Sequence, residues 1–313
     1  MVFISLRITL FACLICSIRI VVHSRETGND NCGYKLHRRL SILNGRQVDP
    51  NQWPWVVAVF VRGDRRQTSR TFYYHCGGVL IHHRLVLTAA HCAYRKPQES
   101  RRRHLRPRDF RIVISEHDVT SKEVSEQRVK VSSYFFHRHW QQRSTNNSFD
   151  LAVLHLKPYK KQAGKPVCLP DSRQSLYEDL WACVTVGWGT TNSNASSKVS
   201  PILREVVVPV WADSECRKVW GADLIDETMF CAGDTYRNDS RNARGPCLKD
   251  SGSPLFCSKD LATWFVMGVT SWGGIPCLKR KPAVFSDVAK VRTFFDDVVR
   301  HLGYKLPTEA KSQ

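Results

Sequence analysis

Seven apolar runs, rich in β-branched and aromatic residues, restrict this chain more than any other feature. They are WVVAVFV (55–61), FYYHCGGVLIHHRLVLTAA (72–90), FRIVISEH (110–117), DLAVLHL (150–156), ACVTVGWG (182–189), LREVVVPVW (203–211) and TWFVMGVTSW (263–272). Gly, Pro, Asn and Asp bound them. Strand-length runs with no alternating helices predict an all-β sandwich or barrel. One helix is expected, at the end of the chain. In DVAKVRTFFDDVVRHL, Val291, Phe294 or Phe295, Val298 and Leu302 recur at helical spacing, as a stripe that covers a core.

The amino terminus reads as a targeting segment. Residues Ile8 to Ile18 are apolar and lie between Arg7 and Arg19. As a helix they rise roughly 16 Å, too little for a hydrocarbon core of about 30 Å. A secretory signal over 1–24, cut after Ser24, fits better than an uncleaved anchor, and no other stretch is long enough to span a membrane. The expected compartment is extracellular. Cys13 and Cys16 fall inside the signal, so their spacing is no metal motif. Ten cysteines remain: Cys32, Cys76, Cys92, Cys168, Cys183, Cys216, Cys231, Cys247, Cys257 and Cys277. An even number in a secreted chain predicts five disulfides. Asn146, Asn194 and Asn238 head glycosylation sequons.

The net charge is +19, of which Arg7 and Arg19 of the signal account for only two. Basic residues cluster in YRKPQESRRRHLRPR (94–108) and at Arg62, Arg65, Arg66 and Arg70. Zinc-finger spacing, a helix-turn-helix pattern and an aromatic-interleaved RNA platform are all missing, so no nucleic-acid partner is expected. Two readings of the basic loops remain: solvated insertions, or an exosite for a heparin-like glycan or an acidic protein.

Three short segments carry chemistry. LTAAHC (87–92) ends an apolar strand in two small residues before His91, which alone reads equally as a satisfied polar residue. SFDLAVLHL (148–156) sets Asp150 at the mouth of a buried strand, where a carboxylate costs several kcal/mol unless it is paired. It either caps a turn or holds a histidine. KDSGSP (249–254) presents Ser251. A serine hydroxyl needs a base to take its proton, and the base needs an orienting carboxylate.

With these segments in the order His91, Asp150, Ser251, the chain resembles the trypsin/chymotrypsin family of secreted serine proteases over about Ile42 to Leu302. WPWVVAV (53–59), CGGVLI (76–81), VCLP (167–170), VGWGTT (186–191), FCAG (230–233), DSGSPL (250–255) and TSWG (270–273) recur in family order. The resemblance implies two six-stranded antiparallel β-barrels, with the three residues in the cleft between them. It divides the chain into a pro-segment (25–41), a peptidase domain (42–303) and a tail (304–313). It pairs Cys76 with Cys92, Cys183 with Cys257, Cys216 with Cys231 and Cys247 with Cys277. It ties Cys32 of the pro-segment to Cys168. Protein or peptide substrates are implied, and no cofactor is required.

The same resemblance exposes four departures or open points. The oxyanion donors fall on the backbone N–H groups of Lys249 and Ser251, and lysine stands where glycine is usual; Ser253 replaces a second glycine. Ile42 is the expected new terminus and Asp250 its partner, but Ser41 rather than a basic residue precedes it, with Arg38 and Arg39 further back. The specificity pocket falls on Gly245 at the base with Pro246, Gly273 and Ala283, and Ser271 binds substrate backbone. With no acid at the base, small or medium apolar side chains are expected to be preferred. Finally, EHDVTSKEVSEQ (116–127) matches a family calcium loop, with Glu116, Glu123 and Glu126; a solvated acidic loop is the other reading. Activity is the expectation that follows from an intact triad. A silent homologue that binds partners through its basic loops is the alternative.

Overall fold

A computed structural model describes residues 31–35, 45–63, 71–95, 103–140, 147–159, 164–171, 182–191, 197–236 and 243–309. The signal, Ile42, Asn146, Asn194, Asn238, Arg65, Arg66, Arg70 and the stretch 96–102 lie outside them. No helix among the described residues is long and apolar enough to cross a membrane.

The apolar runs form two antiparallel sheets. Short β1 (Arg46–Gln47) is followed by β2 (Val56–Arg62), β3 (Phe72–His82), β4 (Leu85–Thr88), β5 (Phe110–Ile114), β6 (Gln127–Val129), β7 (Val131–Phe136) and β8 (Ala152–Leu156). The second half supplies β9 (Ala182–Gly187), β10 (Arg204–Val207), β11 (Met229–Ala232), β12 (Pro254–Ser258), β13 (Phe265–Trp272) and β14 (Ala283–Asp287). The first sheet runs β7-β8-β4-β3-β2-β5-β6 and the second β11-β14-β13-β12-β9-β10-β1.

Each sheet thus has seven strands where six were expected, and each extra strand has a local cause. The two edges of the first sheet, β6 and β7, are consecutive pieces of one segment broken only at Lys130. The sheet therefore curls back so that one segment, bent at Lys130, supplies both of its edges. In the second sheet, two-residue β1 adds to β10, with Arg204 opposite Gln47 and Glu205 opposite Arg46.

The sheets share a dry aromatic centre. Trp53 stacks on Phe256 with ring centroids 5.2 Å apart and meets Trp264 edge-on at 5.0 Å. Trp55, Phe256 and Trp264 are fully or almost fully buried. The Trp53 indole N–H donates to buried Glu205 at 2.7 Å; Arg46 Nε (2.8 Å) and Gln52 Nε2 (3.1 Å) complete that carboxylate's partners. Such partners offset the several kcal/mol that a lone buried charge would cost.

The expected five disulfides form: Cys32–Cys168, Cys76–Cys92, Cys183–Cys257, Cys216–Cys231 and Cys247–Cys277. A closed loop of this kind contributes something like 2–4 kcal/mol. Around Cys32, Gly33 N–H donates to the Pro166 carbonyl and Lys35 N–H to Ala262, each at 2.9 Å. The Lys35 ammonium lies 3.5 Å from the Trp53 ring centroid, and burial lowers its pKa to about 8. Residues 32–35 are thereby knit into the body of the domain.

Among the described residues, two α-helices accompany the sheets, with two short two-stranded ladders pairing Asn31–Cys32 with Thr308–Glu309 and Tyr94–Arg95 with Arg103–His104. α1 (Asp213–Trp220) was not expected. It buries only Cys216, which the Cys216–Cys231 bond pins, so no apolar stripe marks it in the sequence. α2 (Arg292–His301) is the expected terminal helix and buries Phe295, Val298 and Val299.

Candidate active site

The site is assembled from the ends of strands in both sheets. β4 ends at Thr88, and the fully buried Ala89 and Ala90 let the chain turn tightly into the 3₁₀ turn Ala90–Ala93. Cys92 in that turn is tied to Cys76 of β3. His91 is held at both its backbone and its ring. Its N–H donates to Asp150 Oδ1 at 2.8 Å, and its Nδ1 lies 2.7 Å from Asp150 Oδ2. Asp150 is wholly buried before β8, so its partners are protein groups. A third donor, the Ser271 hydroxyl, reaches Oδ2 at 2.5 Å. Of the two readings of Asp150, the geometry shows the one that holds a histidine. A proton on Nδ1 leaves Nε2 with a free lone pair, the form a general base needs.

Ser251 sits in the turn before β12. Its carbonyl accepts from Gly77 N–H at 2.9 Å. Gly252 adopts φ +77°, and a Cβ there would lie 2.3 Å from Thr88 Oγ1 and 2.5 Å from the Gly77 carbonyl. Only glycine fits. This contact presses the serine turn of the second sheet against the strand end that leads to His91. Ser253 is buried just beyond, its Oγ filling the space where a side chain on Gly77 would begin.

Lys249 has φ +73°, a left-handed backbone that favours glycine. The lysine therefore carries the strain anticipated from its place in the segment. Its carbonyl accepts a hydrogen bond from the Tyr74 hydroxyl at 3.3 Å. Burial pushes the Tyr74 phenol well above its usual pKa, and the nearby Asp250 charge adds to this. Nothing in the sequence around Tyr74 marks this contact.

Asp250 faces away from the cleft into a cavity of about 340 Å³ that Gly45, Gly187, Gly189, Arg204 and Glu205 also line. Gly189 N–H donates to its Oδ1 at 2.8 Å and Cys247 N–H to its Oδ2 at 2.9 Å. Burial outweighs these two bonds and raises its pKa to about 6. A Cβ on Gly189 would sit 2.0 Å from Oδ2, so the glycine of VGWG makes room for the carboxylate.

A second cavity, about 220 Å³, opens beside Ser251 and is lined by Pro246, Lys249, Ser271, Gly273 and Ala283 among others. Four of the five expected specificity residues, Pro246, Ser271, Gly273 and Ala283, meet here. Gly245 does not line it; Gly245 borders the larger cavity with Asp250. Leu278, which the sequence reading missed, covers it.

Glu116 is buried, and its Oε2 and that of Glu126 lack a hydrogen-bond partner. Burial, then the Glu126 carboxylate, raise the Glu116 pKa to about 8. Glu116 Oε1 and Glu123 Oε2 both accept from His117 N–H at 3.1 Å. Two orphaned carboxylate oxygens in one loop suit a hard cation such as calcium. Among the described residues, the one group of three metal-capable side chains with ligand atoms within 4.8 Å is Cys76, His91 and Cys92. Its cysteines are bonded to each other, which leaves no thiolate for a metal.

Two antiparallel sheets bearing a buried Asp–His pair beside a serine turn define a serine-protease architecture. The family model described as Trypsin matches residues 42–295. A proclotting enzyme from Tachypleus tridentatus is 30% identical over 278 residues, covering 87% of this chain and 68% of that protein. The chain belongs to the trypsin family, and its class is that of the serine proteases.

Proposed function

We propose that this chain is a secreted serine endopeptidase that cleaves after small or medium apolar residues. Ser251 attacks the scissile carbonyl while His91 Nε2 takes its proton and later returns it to the leaving amine. Asp150 holds the imidazole in the working tautomer and stabilises its charged form. The N–H groups of Lys249 and Ser251 receive the oxyanion; losing one such donor costs about 10²–10³ in rate.

The observation that carries this reading is the buried Asp150 carboxylate, to which His91 contributes two contacts and Ser271 a third. Formation of the oxyanion site depends on a freed Ile42 amine pairing with Asp250. Gly45 lines the Asp250 cavity, and three residues of chain span up to about 10 Å. The test is labelling by a fluorophosphonate probe of material whose chain begins at Ile42. Labelling that disappears in Ser251→Ala supports the enzyme; an unlabelled processed chain overturns it.

A silent homologue is the second reading, favoured by the left-handed backbone of Lys249. Its function would rest on the basic loops. Arg62 and Arg111 both lie over the Phe72 ring, 5.4 and 4.5 Å from its centroid. Stacked guanidinium groups suit a heparin-like glycan or an acidic protein. Heparin-column retention that drops when Arg101, Arg102 and Arg103 are each changed to Ala supports this surface. Structural calcium at Glu116, Glu123 and Glu126 is proposed in either reading; binding would have to draw together carboxylate oxygens that do not all lie within 4.8 Å of one another, and a solvated acidic loop is the alternative.

A further inference from the structure

The specificity cavity and the Asp250 cavity are neighbours separated by a thin wall. Pro246, Cys247, Cys277 and Leu278 border both. The Cys247–Cys277 bond fixes two of these positions. Leu278 is only 5% exposed and belongs to the core cluster of the second sheet with Phe230, Met267 and Phe285. Its backbone has φ +60°, a conformation that a leucine adopts at a cost. Its carbonyl accepts from Tyr236 N–H at 3.1 Å, which anchors the strained residue. A Cβ added to Gly245 would stand 3.2 Å from Leu278 Cδ1 and 3.3 Å from Cδ2, and one on Gly233 would stand 3.1 Å from Cδ2. The isobutyl group therefore covers the two glycines that face it.

We infer that Leu278 is the floor of the specificity pocket and sets the size of the side chain it accepts. The inference rests on the proteolytic reading for its substrate but on packing alone for the pocket. Gly245, with no side chain, provides room for Leu278 rather than for substrate. The leucine ends the pocket with apolar carbon and shuts it off from Asp250. A basic substrate side chain would find no partner there, and a large aromatic one would meet the two methyl groups. Apolar side chains of medium length fit above them. Leu278 is thus a specificity-determining residue by direct contact, and the strain at its backbone is what directs its side chain inward.

The experiment compares the chain beginning at Ile42 with its Leu278→Ala and Leu278→Val variants. Peptide substrates differ only in having Val, Leu or Phe before the scissile bond. Removing the isobutyl end is expected to raise the Phe-to-Val ratio of kcat/KM by about 10-fold or more, the range for changes of this size in an apolar pocket. Leu278→Val is expected to fall between. Fluorophosphonate labelling of Ser251, with a melting curve, verifies in each variant that the serine centre is folded and reactive. An unchanged Phe-to-Val ratio with intact labelling overturns the inference. The same ratio is read as affinity by calorimetry, using Ser251→Ala chains with and without Leu278→Ala and peptides ending in Val or Phe. This arm needs no turnover. If the wild-type chain is never labelled, the enzyme reading fails while the affinity ratio still decides the role of Leu278.

Discussion

Ser271 and Asp150 are joined across the two sheets by a 2.5 Å hydrogen bond to the same carboxylate oxygen that meets the His91 ring. Hydrogen bonds to a charged group contribute about 1.5–3 kcal/mol. Ser271→Ala is therefore expected to slow labelling of Ser251 by about tenfold or more. Asp150→Asn is expected to slow it far more, by about 10⁴-fold, a size taken from other Ser-His-Asp triads. The asparagine amide would face a ring nitrogen that must then accept rather than donate. Rates of fluorophosphonate labelling, with melting curves to verify folding, measure both.

Lys249→Gly tests the cost of the left-handed backbone at the oxyanion turn. A non-glycine residue in this conformation costs roughly 1–2 kcal/mol. The variant is expected to melt a few degrees higher and to label at least as fast as the parent. A lower melting temperature, or loss of labelling, would mean that the lysine side chain itself supports the turn.

The stability of the unprocessed chain is expected to carry the signature of Asp250. Its ordinary pKa is near 3.8, and burial raises it to about 6 in the fold. Between those values the folded chain keeps a proton that the unfolded chain has released. The contribution of this group is present below pH 4 and falls as pH rises to about 6. Urea midpoints of the uncleaved Ser251→Ala chain and of its Asp250→Asn variant, measured from pH 4 to 7, isolate it. The difference between them should shift toward the variant as pH rises. If the proposed pairing of the Ile42 amine with the Asp250 carboxylate forms, this trend should vanish in the chain beginning at Ile42.

Calcium is expected to raise the melting temperature of the chain, and Glu116→Gln with Glu126→Gln is expected to abolish that rise. No calcium effect in the parent chain would leave the loop as an acidic turn held by His117 N–H.

What the sequence disclosed followed from strong local constraints. The β-branched runs gave both sheets, because strands buried as fully as β2 leave little choice of residue. His91, Asp150 and Ser251 stood out through small and apolar neighbours that the fold uses to bend and bury them. Lys249 stood out because its turn demands a glycine-like backbone, and that is what it has. Contacts between distant segments were hidden. Tyr74 reaches Lys249 across 175 positions, and neither neighbourhood signals the other. Leu278 lies in an irregular loop with no periodic pattern, so its place over Gly245 depends on a disulfide and a backbone angle. The split at Lys130 and the helix α1 were missed because neither changes the hydrophobic pattern.

The meeting of Gly77 with Ser251, Ser253 and Gly252 has a consequence for recombination. The first sheet brings Gly77 and Thr88, the second brings the serine turn, and their backbones interlock at distances that exclude even a methyl group. A hybrid that took each half from a different relative would have to import both faces of this joint together, or else the halves would fold and fail to mate.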